Sequence, residues 1–325
     1  MSLLSIVMPM RNVEAFVEEA LASILCERTV PLEVVVVDDG STDASRARVA
    51  AVSDPRVRLV DGPRRGIAAC LNAGIAAARG DILMRCDADD LFSPGRIARQ
   101  TAWLAQHPTH AAVCGAYTSI DRRGRFVAQL CLHANAADVD VSEELCRGVT
   151  RTSLCTFAMH RAVVEKIGGF REYFVTCEDV DFMLRLGEAA KVHYLPENTY
   201  VYRLHEASIT HTQATVQRQF YEEMAHDFQA QRLGQGSDAL QRNEAPSPPA
   251  GAHTRASTAA SQIQGMLVGR AWRLFEQGER REALVVAVRA VRHGPRQAVA
   301  WRTLVLVAWR SLTRARVKPA GTVNR

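Results

Sequence analysis

No stretch of this 325-residue chain approaches the roughly 18–20 consecutive apolar residues that a bilayer-spanning helix needs. The one apolar run near the N-terminus, Leu3 to Met10, has neither a basic lead nor a small-residue cleavage site, so no secretory signal is expected. Glycine-rich phosphate loops are also missing. Neither G-x-G-x-x-G nor G-x-x-x-x-G-K-[ST] occurs, which removes the main support for dehydrogenase and P-loop readings. The eight cysteines include no C-x-x-C pair, a pattern that suits neither a zinc site nor a small disulfide scaffold. They read as reduced, mostly buried thiols of a cytoplasmic chain.

What is present is a normal core-forming composition, 47% hydrophobic and 23% charged, enough for one large α/β domain with an appendage. The net charge of +5 hides an asymmetry: residues 261–325 carry 13 Lys/Arg against 3 Glu, so the rest of the chain is net acidic. A nucleic-acid binder would run its basic stripe through the main domain, so no nucleic-acid partner is expected. A basic tail suits an anionic membrane surface or an acidic partner, or is simply a solvated helix face.

The first hundred residues alternate strand and helix signals. Ser5–Pro9, Glu33–Val37, Val57–Val60 and Asp81–Cys86 read as strands, and the four valines of the second are the mark of a strand buried on both faces. Between them, Phe16, Ala20 and Ile24 recur every fourth residue behind Asn12 as a candidate cap, and Gly66–Arg79 is an alanine-rich helix. A helix capped by Thr42 or Asp43 and one opened by Ser93-Pro94 are also expected. Short connections between such elements argue for a doubly wound parallel sheet. Further on, Asp121–Gly124 reads as a hairpin turn, Arg161–Ile167 and Asp179–Ala190 as helices, and residues 216–228 as a helix packed on the body.

In an open α/β sheet, ligands bind outside the carboxyl ends of the strands. Here those ends read Pro9-Met10-Arg11-Asn12, Asp38-Asp39-Gly40-Ser41 and Asp87-Ala88-Asp89-Asp90. Five acids at neighbouring edge positions repel one another unless a positive group sits among them. A hard divalent ion, held by one or two carboxylates and completed by phosphate oxygens, suits the D-x-D spacing.

These segments resemble family 2 glycosyltransferases of the GT-A fold. The resemblance runs through Ser5–Pro9, Asn12, Ser23–Leu25, Val36–Asp43, Gly66, Leu71-Asn72, Ala78–Gly80, Asp87–Asp90, Pro94 and Arg96. It continues through Gly168–Phe170 and Cys177–Arg185, covering roughly residues 3–210. It implies an inverting, metal-dependent transferase that takes a nucleotide-sugar donor, often UDP-linked. By position, Asp39 contacts the base in a pocket lined by Pro9 and Arg11, Asp87 faces the ribose or the metal, and Asp89 binds Mn2+ or Mg2+. Asp179 is the catalytic base with Glu178 beside it, and His205 completes the metal site. Arg11 stands where an aromatic residue is often found.

The fold class expected is therefore α/β, a GT-A-like doubly wound, mostly parallel sheet with a small α-helical C-terminal appendage. Residues 1–243 form the transferase domain, 244–260 a linker rich in Pro, Ala and Ser, and 261–325 a basic helical segment. In that segment Gly278, Ala283, Ala290 and Pro295 resemble a tetratricopeptide repeat, and Trp301–Arg316 reads as a basic amphipathic helix. The expected acceptor is a saccharide or lipid-linked sugar in surface-polysaccharide synthesis. The expected location is cytoplasmic, with peripheral contact to the inner face of the membrane or to a protein through 261–325. Two rivals are a nucleotidyltransferase, disfavoured by the missing Gly-rich triphosphate loop, and an inactive scaffold, disfavoured by Asp39, Asp89 and Asp179 occurring together.

Overall fold

The computed structural model describes residues 3–130, 138–208, 215–249 and 258–314. Cys131, the middle of the expected linker and the last basic residues, Arg316, Lys318 and Arg325, lie outside the described residues.

Four strands form the parallel part of one sheet: β1 (Leu4–Met10), β2 (Leu32–Asp38), β3 (Val57–Asp61) and β4 (Ile82–Arg85). β1 pairs in parallel with β2 and β4, and β2 with β3. The register places Met10, Asp38 and Asp61 side by side at one edge, so three strands deliver their carboxyl ends to the same place. The sheet continues through β5 (Leu91–Phe92), β6 (Ala112–Asp121), β7 (Phe126–Leu130), β8 (Val139–Asp140), β9 (Ala158–His160) and β10 (Val192–Leu204). Its order is β3-β2-β1-β4-β9-β6-β10-β5, with β7 on β6 and β8 on β10. β9 runs antiparallel to β4 and starts an antiparallel half. Residues 192–204 form the single long strand β10, with Pro196 and Asn198 inside it.

Helices cover both faces, as period-2 alternation within buried strands requires. Leu4, Ile6, Met8 and Met10 of β1 pack with Val34 and Val36 against α1 (Val17–Leu25), while Val7, Val35 and Val37 face α3 (Ile67–Ala77). The further helices are α2 (Ser45–Ala50), α4 (Arg96–Gln106), α5 (Ser142–Cys146), α6 (Arg161–Lys166) and α7 (Glu178–Ala189), then α8 (Thr215–Gln235). α8 packs on the α7 region through Tyr221, Ala225 and Phe228 against Phe174 and Leu184. The C-terminal helices are α9 (Ala259–Glu276), α10 (Arg280–His293) and α11 (Ala298–Arg314).

The chain divides into two compact units. The first comprises 1–118, 129–203 and 214–254; the second comprises 119–128, 204–213 and 255–325. In the second, the fully buried Ala271, Ala283, Ala287 and Ala290 let helices approach closely, and Gln264 on α9 donates to the carbonyls of Ala290 and Gly294.

Two expected helix caps are not observed, each for a tertiary reason, and a third is. Asn12 lies at φ 53° and accepts from the Thr42 N–H at 2.8 Å, tying the end of β1 to the loop after β2 instead of capping α1. At α2 the expected cap Asp43 is in place, its Oδ1 accepting the N–H of Ser45, the first helical residue, at 3.0 Å, while the Ala44 N–H is taken by Glu14 at 2.8 Å. α4 starts after Gly95, and the Ser93 hydroxyl accepts from Asn198 at 2.7 Å.

Candidate active site

The site assembles at the carboxyl ends of β1, β2 and β4 and at the first turn of α7. Asp38 is the last residue of β2. Its Oδ1 accepts from the Ser41 N–H at 2.9 Å, and its Oδ2 meets Arg46, which also pairs with Asp61. Burial would raise the Asp38 carboxyl, but the Ser41 and Arg46 hydrogen bonds outweigh it and hold the group below its ordinary value. Asp38 therefore closes the loop as a structural anion.

Asp39 is placed differently. Its N–H bonds the Met10 carbonyl at 2.9 Å, fixing it beside the end of β1, and its Oδ1 accepts from the Arg64 N–H at 2.6 Å. Among the described residues its Oδ2 has no partner. A Cβ on Gly62 would lie 2.9 Å from the Asp39 Cα and 3.0 Å from its Oδ1, so only glycine lets the strand β3 exit pass this close. Pro9 is buried within β1, while Arg11 is exposed one residue beyond it.

At the end of β4 the acids have separate surroundings. Asp90 is buried, accepting from the Tyr200 hydroxyl at 2.8 Å and the Arg203 N–H at 2.7 Å. Burial, with the charges of Asp89 and Asp87, raises its carboxyl well above the ordinary range. Arg203 itself is buried, donates to the Asp89 carbonyl at 2.9 Å and pairs with Glu19 at 2.7 Å. Asp87 and Asp89 are half-buried.

Arg85 connects this strand end to α7. Its Nε and Nη2 grip both oxygens of Asp87, at 2.6 and 3.0 Å, and its Nη1 reaches Glu178 at 3.1 Å. The D-x-D segment and the Glu178-Asp179 pair, some ninety residues apart, are thus joined by one guanidinium. Burial alone would lower the Arg85 pKa, but Asp87, Cys155 and Glu178 raise it well above its ordinary value, so it stays charged. Glu178 is buried, and its carboxyl is pushed up to about 7, first by burial and then by Asp179, against the pull of Arg85. Asp179 is half-buried, and its Oδ1 accepts the Val180 N–H at 2.9 Å in the first turn of α7. Cys177, just before them, is held at φ 59°, a left-handed conformation that costs a residue bearing a Cβ and is typical of strained functional turns.

A buried polar frame positions that turn. Asn72 on α3 donates to the Phe170 carbonyl at 2.8 Å and accepts its N–H at 2.9 Å. A Cβ on Gly169, at φ 67°, would sit 2.7 Å from the Asn72 Oδ1. Arg185 reaches the carbonyls of Ile167 at 2.6 Å and Gly169 at 2.8 Å while pairing with the fully buried Asp181, which Arg171 also grips.

His205 lies one residue beyond β10 in the second unit, is buried, and its carbonyl accepts the Ser208 N–H at 3.2 Å. Among the described residues no three His, Cys, Asp or Glu side chains cluster as a metal cage. The donor set at the β4 end is therefore hard carboxylate oxygen, few in number, with Asp87 already engaged by Arg85. That set fits a Mg2+ or Mn2+ ion whose other ligands arrive with a diphosphate, and it does not fit an all-protein site.

Sequence reasoning missed Arg85 and Asn72 as organising residues. The signal for Arg85 was a charged residue inside an apolar strand directly ahead of four residues rich in Asp, since a buried cation must be paired. None of the seven described cysteines is joined in a disulfide. Among the described residues no helix is long and apolar enough to cross a membrane.

A solved structure of TarS 1-349 from S. aureus in complex with UDP-GlcNAc superposes with a TM-score of 0.57 at 22% identity, covering 68% of this chain and 64% of that one. It shows the GT-A fold. The chain is 32% identical over 217 residues to an uncharacterized glycosyltransferase, EpsJ, of Bacillus subtilis, covering 64% of this chain and 63% of the relative. Over 81 residues it is 51% identical to the succinoglycan biosynthesis protein ExoO of Rhizobium meliloti, 25% of this chain and 23% of that protein. It is 32% identical over 205 residues to the O-antigen biosynthesis protein RfbC of Myxococcus xanthus, 61% of this chain and 16% of the relative. The chain thus spans less than two thirds of these relatives' own lengths. The family model described as Glycosyl transferase family 2 matches residues 5–168, half of the chain, and the chain belongs to that family.

Proposed function

We propose that this chain is an inverting glycosyltransferase that moves a sugar from a nucleotide-sugar donor, in our reading UDP-linked, to a saccharide or lipid-linked acceptor in surface-polysaccharide synthesis. The observation that carries the reading is the Arg85 bridge, which ties Asp87 of the D-x-D segment to Glu178, the neighbour of Asp179. The names of the ExoO and RfbC relatives support polysaccharide synthesis, and the UDP-GlcNAc complex of TarS supports the donor class. Residues 1–243 are taken as the catalytic domain, joined by 244–260 to the helical segment 261–325.

In this mechanism the open Oδ2 of Asp39 accepts from the donor's base, beside the end of β1 at Pro9 and Arg11. Through the family resemblance, Asp89 would hold a divalent ion with His205 as a second ligand. When bound, such an ion neutralises the charge that develops on the departing diphosphate. Asp87, paired with Arg85, would face the ribose or the metal. Asp179 is half-exposed and so can reach an acceptor hydroxyl, whereas Glu178 is buried against Arg85. Asp179 takes the hydroxyl proton as that oxygen bonds to the anomeric carbon and the bond to the diphosphate oxygen breaks on the opposite side.

Thermal shift with UDP, with and without Mn2+, tests the reading. A melting-temperature rise with UDP and Mn2+, lost in Asp89→Ala and in excess chelator, is expected. An unchanged shift in both would reject the metal assignment.

A further inference from the structure

The C-terminal helix α11 turns a line of large apolar side chains away from its own unit. At about 100° per residue, Ala300, Thr303 and Val307 share the arc that is buried. Trp301, Val305 and Trp309, spaced four residues apart, occupy the opposite arc and are 49%, 61% and 59% exposed. Arg302 is exposed beside this line, and the Trp301 indole leans on the carbonyl of Pro295 at 2.8 Å, next to the exposed Arg296. α10 repeats the arrangement. Its buried arc holds Ala283, Ala287 and Ala290, and its outward arc holds the exposed Val285 and Val288 with Arg281 and Arg292.

Charge selects among the surfaces that could cover such a line. From Ala283 to Arg314 the chain has six arginines and no acidic residue. Two copies meeting through the outward face of α11 would bring arginine against arginine, since residues 298–314 hold no carboxylate, which disfavours self-association. Tryptophan and valine flanked by arginine are the pair of chemistries that an anionic bilayer surface accepts, with apolar rings entering the acyl boundary and guanidinium groups staying with the headgroups. α11 is neither long nor apolar enough to cross, so it would lie in the interface plane.

We propose that the outward face of α11, centred on Trp301, Val305 and Trp309, binds the surface of an anionic lipid bilayer. The proposal does not depend on the catalytic reading, and its test does not use activity. The full chain is sedimented with vesicles of equal parts phosphatidylglycerol and phosphatidylcholine, or of phosphatidylcholine alone, at low and high salt. Binding to the anionic vesicles that weakens with salt is expected. Each exposed arginine near the surface is worth about fivefold in partitioning, so Arg296→Gln with Arg302→Gln should weaken binding roughly 25-fold. Replacing Val305 and Trp309 together by serine, which keeps the Trp301 hydrogen bond to Pro295, should abolish most of it while the far-ultraviolet circular dichroism stays that of a folded chain. Absence of sedimentation with anionic vesicles overturns the proposal and assigns the face to an acidic protein. Equal binding to neutral vesicles, or binding by the serine variant equal to wild type, overturns it as well.

Discussion

Glu178 should make the stability of this protein fall as pH rises through the neutral range, and Glu178→Gln should remove that fall. The carboxyl is buried and pushed up to about 7 from an ordinary 4.5, by burial first and the neighbouring Asp179 second. For an acid whose folded-state value is raised, the folded chain keeps a proton that the unfolded chain releases. Its stability contribution is therefore fully present below the unfolded value and is lost as pH rises from 4.5 through about 7. A displacement of this size corresponds to roughly 3 kcal/mol, at about 1.4 kcal/mol per pH unit. Glutamine keeps the shape and still offers Arg85 an oxygen at the position Glu178 holds, 3.1 Å from Nη1, but it does not titrate. Urea denaturation followed by tryptophan fluorescence, from about pH 4 to about pH 8, gives both profiles. The difference between wild type and variant isolates Glu178 from the other titrating groups, Asp90 among them. It should shift by about 3 kcal/mol across that window. Parallel profiles, within about 0.5 kcal/mol, would refute the placement of Glu178 as a buried, strained partner of Arg85.

Three further outcomes are expected. Asp179→Asn should lower kcat by about 10²–10⁴-fold, the usual range for a general base, with the donor KM little changed; near-normal turnover moves the role elsewhere. Asp39→Asn, which keeps the Arg64 contact and removes the carboxylate charge, should raise the donor KM by about tenfold or more, as loss of a charged hydrogen bond predicts, with kcat nearly constant. Asn72→Ala strands both the N–H and the carbonyl of Phe170, so the urea midpoint should fall by the equivalent of about 2–3 kcal/mol; a loss below about 0.5 kcal/mol would mean that water replaces the side chain there.

Much of the site was legible because its acids sit at strand ends, where local punctuation and chemistry coincide. The run Val34–Val37 ending in Asp38-Asp39-Gly40 marks both a doubly covered strand and the edge to which it points. What the sequence did not display is pairing across distance. Arg85 and Glu178 are separated by 93 residues, and Asn72 and Phe170 by 98, and no periodicity links either pair. The expected caps fail for the same reason: Asn12 and Ser93 have the right local chemistry, yet Thr42 and Asn198, brought in by the fold, take their oxygens. The division between Asp38 and Asp39 was likewise invisible, since adjacent carboxylates differ only in which loop groups fold onto them.

The central claim is that Asp179, joined to the D-x-D strand end through Glu178 and Arg85, transfers a sugar from a nucleotide donor. Its most direct test is nucleotide release by the full chain over a panel of UDP-, GDP- and dTDP-sugars with Mn2+, run in parallel with Asp179→Asn. Release from at least one donor, UDP-linked on this account, should appear with wild type and drop by at least about 100-fold in the variant. Release from none of the donors with added saccharide acceptors, or equal release by the two proteins, would contradict it.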